Sequence, residues 1–251
     1  MVDVSTWALL GVAAFAAGAL NAVAGGGSFL TFPALVYAGI PPVSANATSA
    51  LAVSPGYLGS VWGFRTELSA LPRSRLWAEM AVAALGGLCG AALLLVTPAQ
   101  VFMGLVPWLL VFATVLFALG PRLSAWLKPS QTPARPYGRW AGLWLVCVYG
   151  GYFNGGLGIL LMALFALQGE RHVHTANALK NLHSLVLSLL SVATFVAGGL
   201  VAWPEGLWMM VAATAGGTWG AQQGKRLPSV WVRRLVIATG VVMSAVFFAR
   251  T

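Results

Sequence analysis

Long uncharged runs, each closed by glycine, proline or a basic residue, divide the chain into ten helical segments. These are approximately 5–24, 28–39, 45–64, 76–96, 101–119, 139–153, 157–168, 177–200, 206–223 and 231–249. A helix needs about 20 residues to cross a bilayer. The second and seventh segments fall well short of that, and both follow glycine-rich stretches. From Val4 to Phe64 the chain carries no charge, so its interruption at Gly25, Gly26 and Gly27 occurs largely out of water. Each glycine inside a helix costs about 0.8–1.0 kcal/mol relative to Ala, so three in a row predict a broken helix. Backbone broken at membrane depth is tolerated only where protein, water or substrate reaches its N–H and C=O groups, which makes the break a candidate binding site.

Gly39, Pro41 and Pro42 close the short second segment. Asn46, Thr48 and Ser49 then set three small polar side chains at the expected start of the third. Two readings stand there. One is a capped helix start; the other is an anion site that uses the spare N–H donors and partial positive charge of a helix N-terminus.

The pattern recurs in the second half. Ala24 to Leu30 matches Asn154 to Leu160 at an offset of 130, and Ala45-Asn46-Ala47 matches Ala176-Asn177-Ala178 at 131. Five segments per half is an odd number, so the second copy is expected to be inverted in the membrane, with short glycine-interrupted elements at corresponding places. The expected organisation is a first transmembrane repeat at 1–120, a cytoplasmic linker at 121–138 around Pro129, Pro133 and Pro136, and a second repeat at 139–251.

Composition narrows the class. The chain is 59% hydrophobic and only 8% charged, where a soluble domain carries about 25% charged residues. An all-α polytopic membrane protein is expected. No basic residue precedes the first apolar run, where Asp3 stands alone, so a cleaved signal is not expected. The +9 net charge does not point to nucleic acid, because all of the 14 lysines and arginines except Lys180 and Arg250 fall at loops following the third, fifth, seventh and ninth segments. The loops near Pro41, Pro98 and Pro204 have none. This asymmetry places the basic loops in the cytoplasm and both termini outside.

Nothing in the sequence suggests an enzyme, a cofactor or a metal site: there is no HExxH, no phosphate loop and no nucleophile elbow. Cys89 and Cys147 lie in apolar segments without CxxC spacing and are expected to be small buried residues.

Asn21-Ala22-Val23-Ala24-Gly25-Gly26-Gly27-Ser28-Phe29, Pro33 and Asn46-Ala47-Thr48-Ser49 together resemble the first half of the TauE/SafE, or sulfite exporter, family. Gly150-Gly151-Tyr152-Phe153-Asn154-Gly155-Gly156-Leu157-Gly158 and Asn177-Ala178-Leu179-Lys180-Asn181 resemble its second half. The resemblance implies a multi-pass bacterial plasma-membrane transporter of sulfite, sulfoacetate or related sulfur-containing anions, with the lipid bilayer and a small anion as its partners and room for a homo-oligomer. The alternative is a membrane accessory or assembly subunit that moves nothing itself.

A sulfur oxyanion needs N–H and O–H donors and positive potential. The expected substrate site comprises Gly25, Gly26, Gly27 and Ser28 at the first break, Asn154, Gly155 and Gly156 at the second, and the side chains of Asn46, Thr48, Ser49, Asn177, Lys180 and Asn181. Lys180 reads either as an anion contact or as a stem that snorkels to the interface. Of the three histidines, His172 and His174 are expected in a solvated loop, and His183 is the candidate for proton coupling.

Overall fold

The computed structural model describes residues 3–23, 26–126, 136–170, 172–223 and 229–249. Among them all regular structure is helical: α1 (Val4–Val23), α2 (Ser28–Tyr37), α3 (Pro42–Gly63), α4 (Arg65–Ser69), α5 (Arg73–Val96), α6 (Ala99–Trp126), α7 (Pro136–Tyr152), α8 (Leu157–Leu167), α9 (Val173–Ala197), α10 (Trp203–Gln223) and α11 (Ser229–Phe248). The ten expected segments are all present, and α4 is a further single turn between the third and fourth. Four helical stretches, Val4–Asn21, Arg73–Val96, Ala99–Leu116 and Val173–Ala197, are long and apolar enough to cross a membrane. Large apolar side chains such as Leu58, Trp62, Leu85, Trp108, Leu145 and Val211 are exposed, as they would be toward lipid.

Glycine and proline set the helix ends. Gly39, with φ 88°, stops α2, and Ile40 N–H reaches back to the Leu35 carbonyl at 3.1 Å. Gly169, with φ 85°, stops α8 in the same way, with Glu170 N–H on the Phe165 carbonyl at 2.9 Å. Both are helix stops closed by a left-handed residue that a side chain would strain.

Close helix crossings rest on small residues. A Cβ on Gly18 of α1 would overlap the Ala213 carbonyl oxygen of α10, and one on Gly216 would overlap that of Phe15. In α5 and α7, a Cβ on Gly90 would overlap the Val148 carbonyl and one on Gly151 that of Gly87. Such residues let helix backbones approach where lipid supplies no hydrophobic drive for association. Both crossings use a Gly-Gly-x-x-Gly run, Gly86 to Gly90 in α5 and Gly216 to Gly220 in α10, again 130 residues apart.

The contacts have a matching exchange. α1 packs on α10 and α7 on α5; α3 packs on α10 and α9 on α5; α2 touches α11 and α8 touches α6. The pairs α3 with α9 and α6 with α11 are each their own counterpart. Exchanging α1, α2, α3, α5 and α6 for α7, α8, α9, α10 and α11 turns these pairs into one another, whereas α3 with α6 has no counterpart of similar extent. One residue of each short helix, Phe29 of α2 and Ile159 of α8, also 130 residues apart, belongs to a single interior cluster with Leu20, Ala113 and Ile237.

Two local expectations are corrected. Pro42 opens α3 instead of only closing the segment before it, so Asn46, Thr48 and Ser49 lie in the second turn and not at the N-terminus. Proline fits the first helical position because its missing N–H has no partner there in any case. Cys89 is exposed while Cys147 is buried, because α5 turns Cys89 away from the α7 crossing that its glycines make.

Candidate functional site at the two helix breaks

At the first break α1 ends at Val23 and α2 begins at Ser28; Gly25 lies outside the described residues. Gly26 has φ 103°, which a residue with a Cβ rarely adopts. Gly27 donates its N–H to Asn21 Oδ1 at 2.8 Å, and a Cβ there would stand 2.7 Å from the Ala17 carbonyl oxygen. Ser28 is buried beside it. One turn on, the hydroxyls of Thr31 and Ser49 are 2.6 Å apart, tying α2 to α3.

The second break repeats the design with different side chains. Gly156 has φ 75° and precedes α8. The Tyr149 hydroxyl donates to the Gly155 carbonyl at 2.5 Å, holding the loop against α7. Asn154 is buried; its side-chain amide faces the Tyr57 hydroxyl of α3, while its Oδ1 has no partner among the described residues. Asn46 donates from Nδ2 to the Tyr152 carbonyl at 2.9 Å. The rings of Phe32 and Phe153 meet edge to face at 5.7 Å, so α2 packs directly on the second break.

The centre is therefore α3. Ser49 bonds Thr31 of α2 just past the first break, and Asn46 and Tyr57 reach the second, so α3 links the two breaks. Thr48 points elsewhere, accepting the Ala202 N–H at 3.0 Å in the loop before α10. Asn177 donates to the Val173 carbonyl of its own helix at 3.2 Å, so it does not join the breaks. Asn181 is buried on α9, and Lys180 beside it is half-buried, forming no ion pair among the described residues.

His183 stands apart from these residues, in a cluster that sequence reasoning overlooked. It is 0% exposed and its Nε2 lies 3.4 Å from Oε2 of Glu79, itself 1% exposed. Arg75 reaches Glu79 at 3.0 Å, Arg139 also contacts it, and Arg75 extends to Glu170 at 3.7 Å. Arg75 and Arg139 counted only as loop charges in the sequence. A sequence signal for the cluster does exist, since Glu79 is an acid inside an apolar helix with a base four residues before it. Contrary to expectation, His174 lies within α9, and His172 is the residue just before it.

The arrangement around α3 supplies hydroxyls, side-chain amides and two helix N-termini, the chemistry that holds a small oxyanion. Among the described residues no group of three or more His, Cys, Asp and Glu is placed to hold a metal ion. An apolar groove lined by Pro55, Val211, Thr214 and Thr218 opens on the outer surface and includes none of these polar residues.

The family described as sulfite exporter TauE/SafE matches residues 10–247. The probable membrane transporter protein YfcA of Escherichia coli strain K12 is 30% identical over 253 aligned positions, covering 96% of this chain and 89% of the relative. A probable membrane transporter protein of Haemophilus influenzae is 26% identical over 245 positions, covering 97% and 95%. The probable membrane transporter protein ORF9 of a Sinorhizobium species is 26% identical over 237, covering 94% and 90%. No solved structure matches the chain significantly.

Proposed function

Because the chain belongs to the sulfite exporter TauE/SafE family, we propose that this multi-pass bacterial membrane transporter moves small sulfur-containing anions, sulfite or organosulfonates such as sulfoacetate, outward across the plasma membrane. The observation that carries the reading is that α3 ties the two breaks together, through Ser49 to α2 and through Asn46 to Tyr152, with Ser28 and Asn154 buried at the breaks. Broken helices that point N-terminal ends at a midplane site are the usual way a transporter holds an anion away from water.

The substrate lies between residues 1–120 and 139–251, two repeats inverted with respect to each other, with the 121–138 linker in the cytoplasm. The contact exchange and the 130-residue recurrence of Gly26 and Gly156, Gly39 and Gly169, and Gly86 and Gly216 support this arrangement. Lys180 adds positive potential from α9 in the conformation that admits the anion.

Flux in proteoliposomes tests the reading. Purified protein should exchange labelled sulfite or sulfoacetate across the vesicle wall, and acetate and phosphate should compete poorly. Equal flux with empty liposomes for every anion of that panel would overturn it.

A further inference from the structure

The Glu79–His183 pair is fully enclosed. His183 Nδ1 lies 2.5 Å from the Leu179 carbonyl oxygen. A carbonyl only accepts, so Nδ1 carries the hydrogen, and in the neutral ring Nε2 presents a lone pair. That lone pair faces Glu79 Oε2 at 3.4 Å, and neither atom has another partner among the described residues. Two acceptors facing each other at this distance repel, and one added proton on Nε2 converts the repulsion into a charge-assisted hydrogen bond.

Around the pair, α5 contributes Arg75, α7 contributes Arg139, and the turn after α8 contributes Glu170, while α8 itself sets the Phe165 ring 5.4 Å from the imidazole. Arg65 and Glu67 on α4, Tyr57 on α3 and Lys180 on α9 form no ion pair with it among the described residues. Two arginines against Glu79 and Glu170 leave the cluster near neutral, and a proton on His183 adds one positive charge.

The fold does not demand this cluster. The residues 130 positions from Glu79, His183 and Arg139 are Met209, Val53 and Leu9, and Arg75 answers to Glu205. Met209 and Val53 are buried in apolar packing. At the other end the equivalent crossing closes without a facing Glu–His pair, although Glu205 is buried there.

We infer that Glu79 and His183 form a one-proton site through which anion movement is coupled to proton movement, with Arg75 and Arg139 holding it shut. The proton comes from water and returns to water; Nε2 gains and loses an N–H bond, and the carboxylate remains the acceptor. Since both groups are sealed here, the proton enters or leaves only when the ends of α5, α7 and α9 that carry the basic loops separate. A group that titrates in one conformation and not in another biases the equilibrium between them, which is the linkage that coupling needs. The inference rests on the transport reading above.

The test uses sulfite in proteoliposomes and the histidine spectrum of the full chain. Counterflow with equal sulfite on both sides needs no net proton movement, whereas accumulation under an imposed pH gradient does. Glu79→Gln and His183→Gln should retain counterflow and lose gradient-driven accumulation at least tenfold. Accumulation at the parental level in either variant overturns the proton site. Independently of any substrate, 15N-histidine spectra of the His172→Asn, His174→Asn chain should show an Nδ1–H ring whose Nε2 takes a proton as pH falls, with a titration displaced by Glu79→Gln. A His183 signal unchanged from pH 9 to pH 5 overturns it even if the variants fail to fold. Absence of sulfite counterflow in the parent would remove the anion reading alone, leaving the spectrum to decide the proton site.

Discussion

Asn46 and Tyr152 are joined by one hydrogen bond, Nδ2 to the backbone carbonyl at 2.9 Å, across 106 residues of chain. It fixes α3 to the residue that ends α7, where the second break starts. Asn46→Ala leaves a buried carbonyl without its partner, at an expected cost of about 1–3 kcal/mol. The thermal midpoint of the purified protein should fall accordingly, and Asn46→Asp, which when ionised only accepts, should not restore it.

Lys180 tests whether α9 contributes charge to the anion site. Lys180→Ala should weaken sulfite binding by the value of a charge-assisted contact, about 1.5–3 kcal/mol or roughly ten- to hundredfold. Lys180→Arg should rescue poorly, because a planar fork and a compact ammonium fit different sites. Binding at the parental affinity by a well-folded Lys180→Ala protein would remove this residue from the site.

The glycine crossings should tolerate no side chain. At Gly90 and Gly216 an added Cβ meets backbone carbonyls of the neighbouring helix, which cannot rotate aside. Each alanine variant should lose at least the roughly 1–3 kcal/mol typical of an overpacked core, seen as loss of monodisperse protein in detergent. Gly104→Ala, where nothing lies within 4 Å, should behave as the parent.

Orientation follows from the basic loops. In right-side-out vesicles, an impermeant thiol reagent should leave Gln131→Cys in a cysteine-free background unlabelled, while an N-terminal tag should be open to external antibody. The opposite pattern would reverse the assignment of sides.

Much of the architecture was legible along the chain because its causes are local. The glycines at the first break interrupt a helix wherever they stand in an apolar run, and α1 does end there at Val23 with Gly26 at φ 103°. The start of α3 was equally local, set by Pro42, although the polar triplet at Asn46, Thr48 and Ser49 draws attention away from it. The Gly-Gly-x-x-Gly runs are likewise visible in the sequence, but their meaning depends on the carbonyls of Phe15 and Val148 lying against them.

Partner choice was not legible. Sequence periodicity placed Asn46 and Asn177 in equivalent repeats, yet Asn46 bonds across the molecule and Asn177 only to its own helix. Glu79 and His183 are 104 positions apart, and neither position shows that α5 and α9 bring their side chains face to face. A break or a helix end is decided by the few residues that form it, so the sequence by itself determined where the helices stop and which ones are short. A buried polar contact is decided by which two helix faces pack and at what rotation, which depends on the whole set of crossings, and only the tertiary structure settled that.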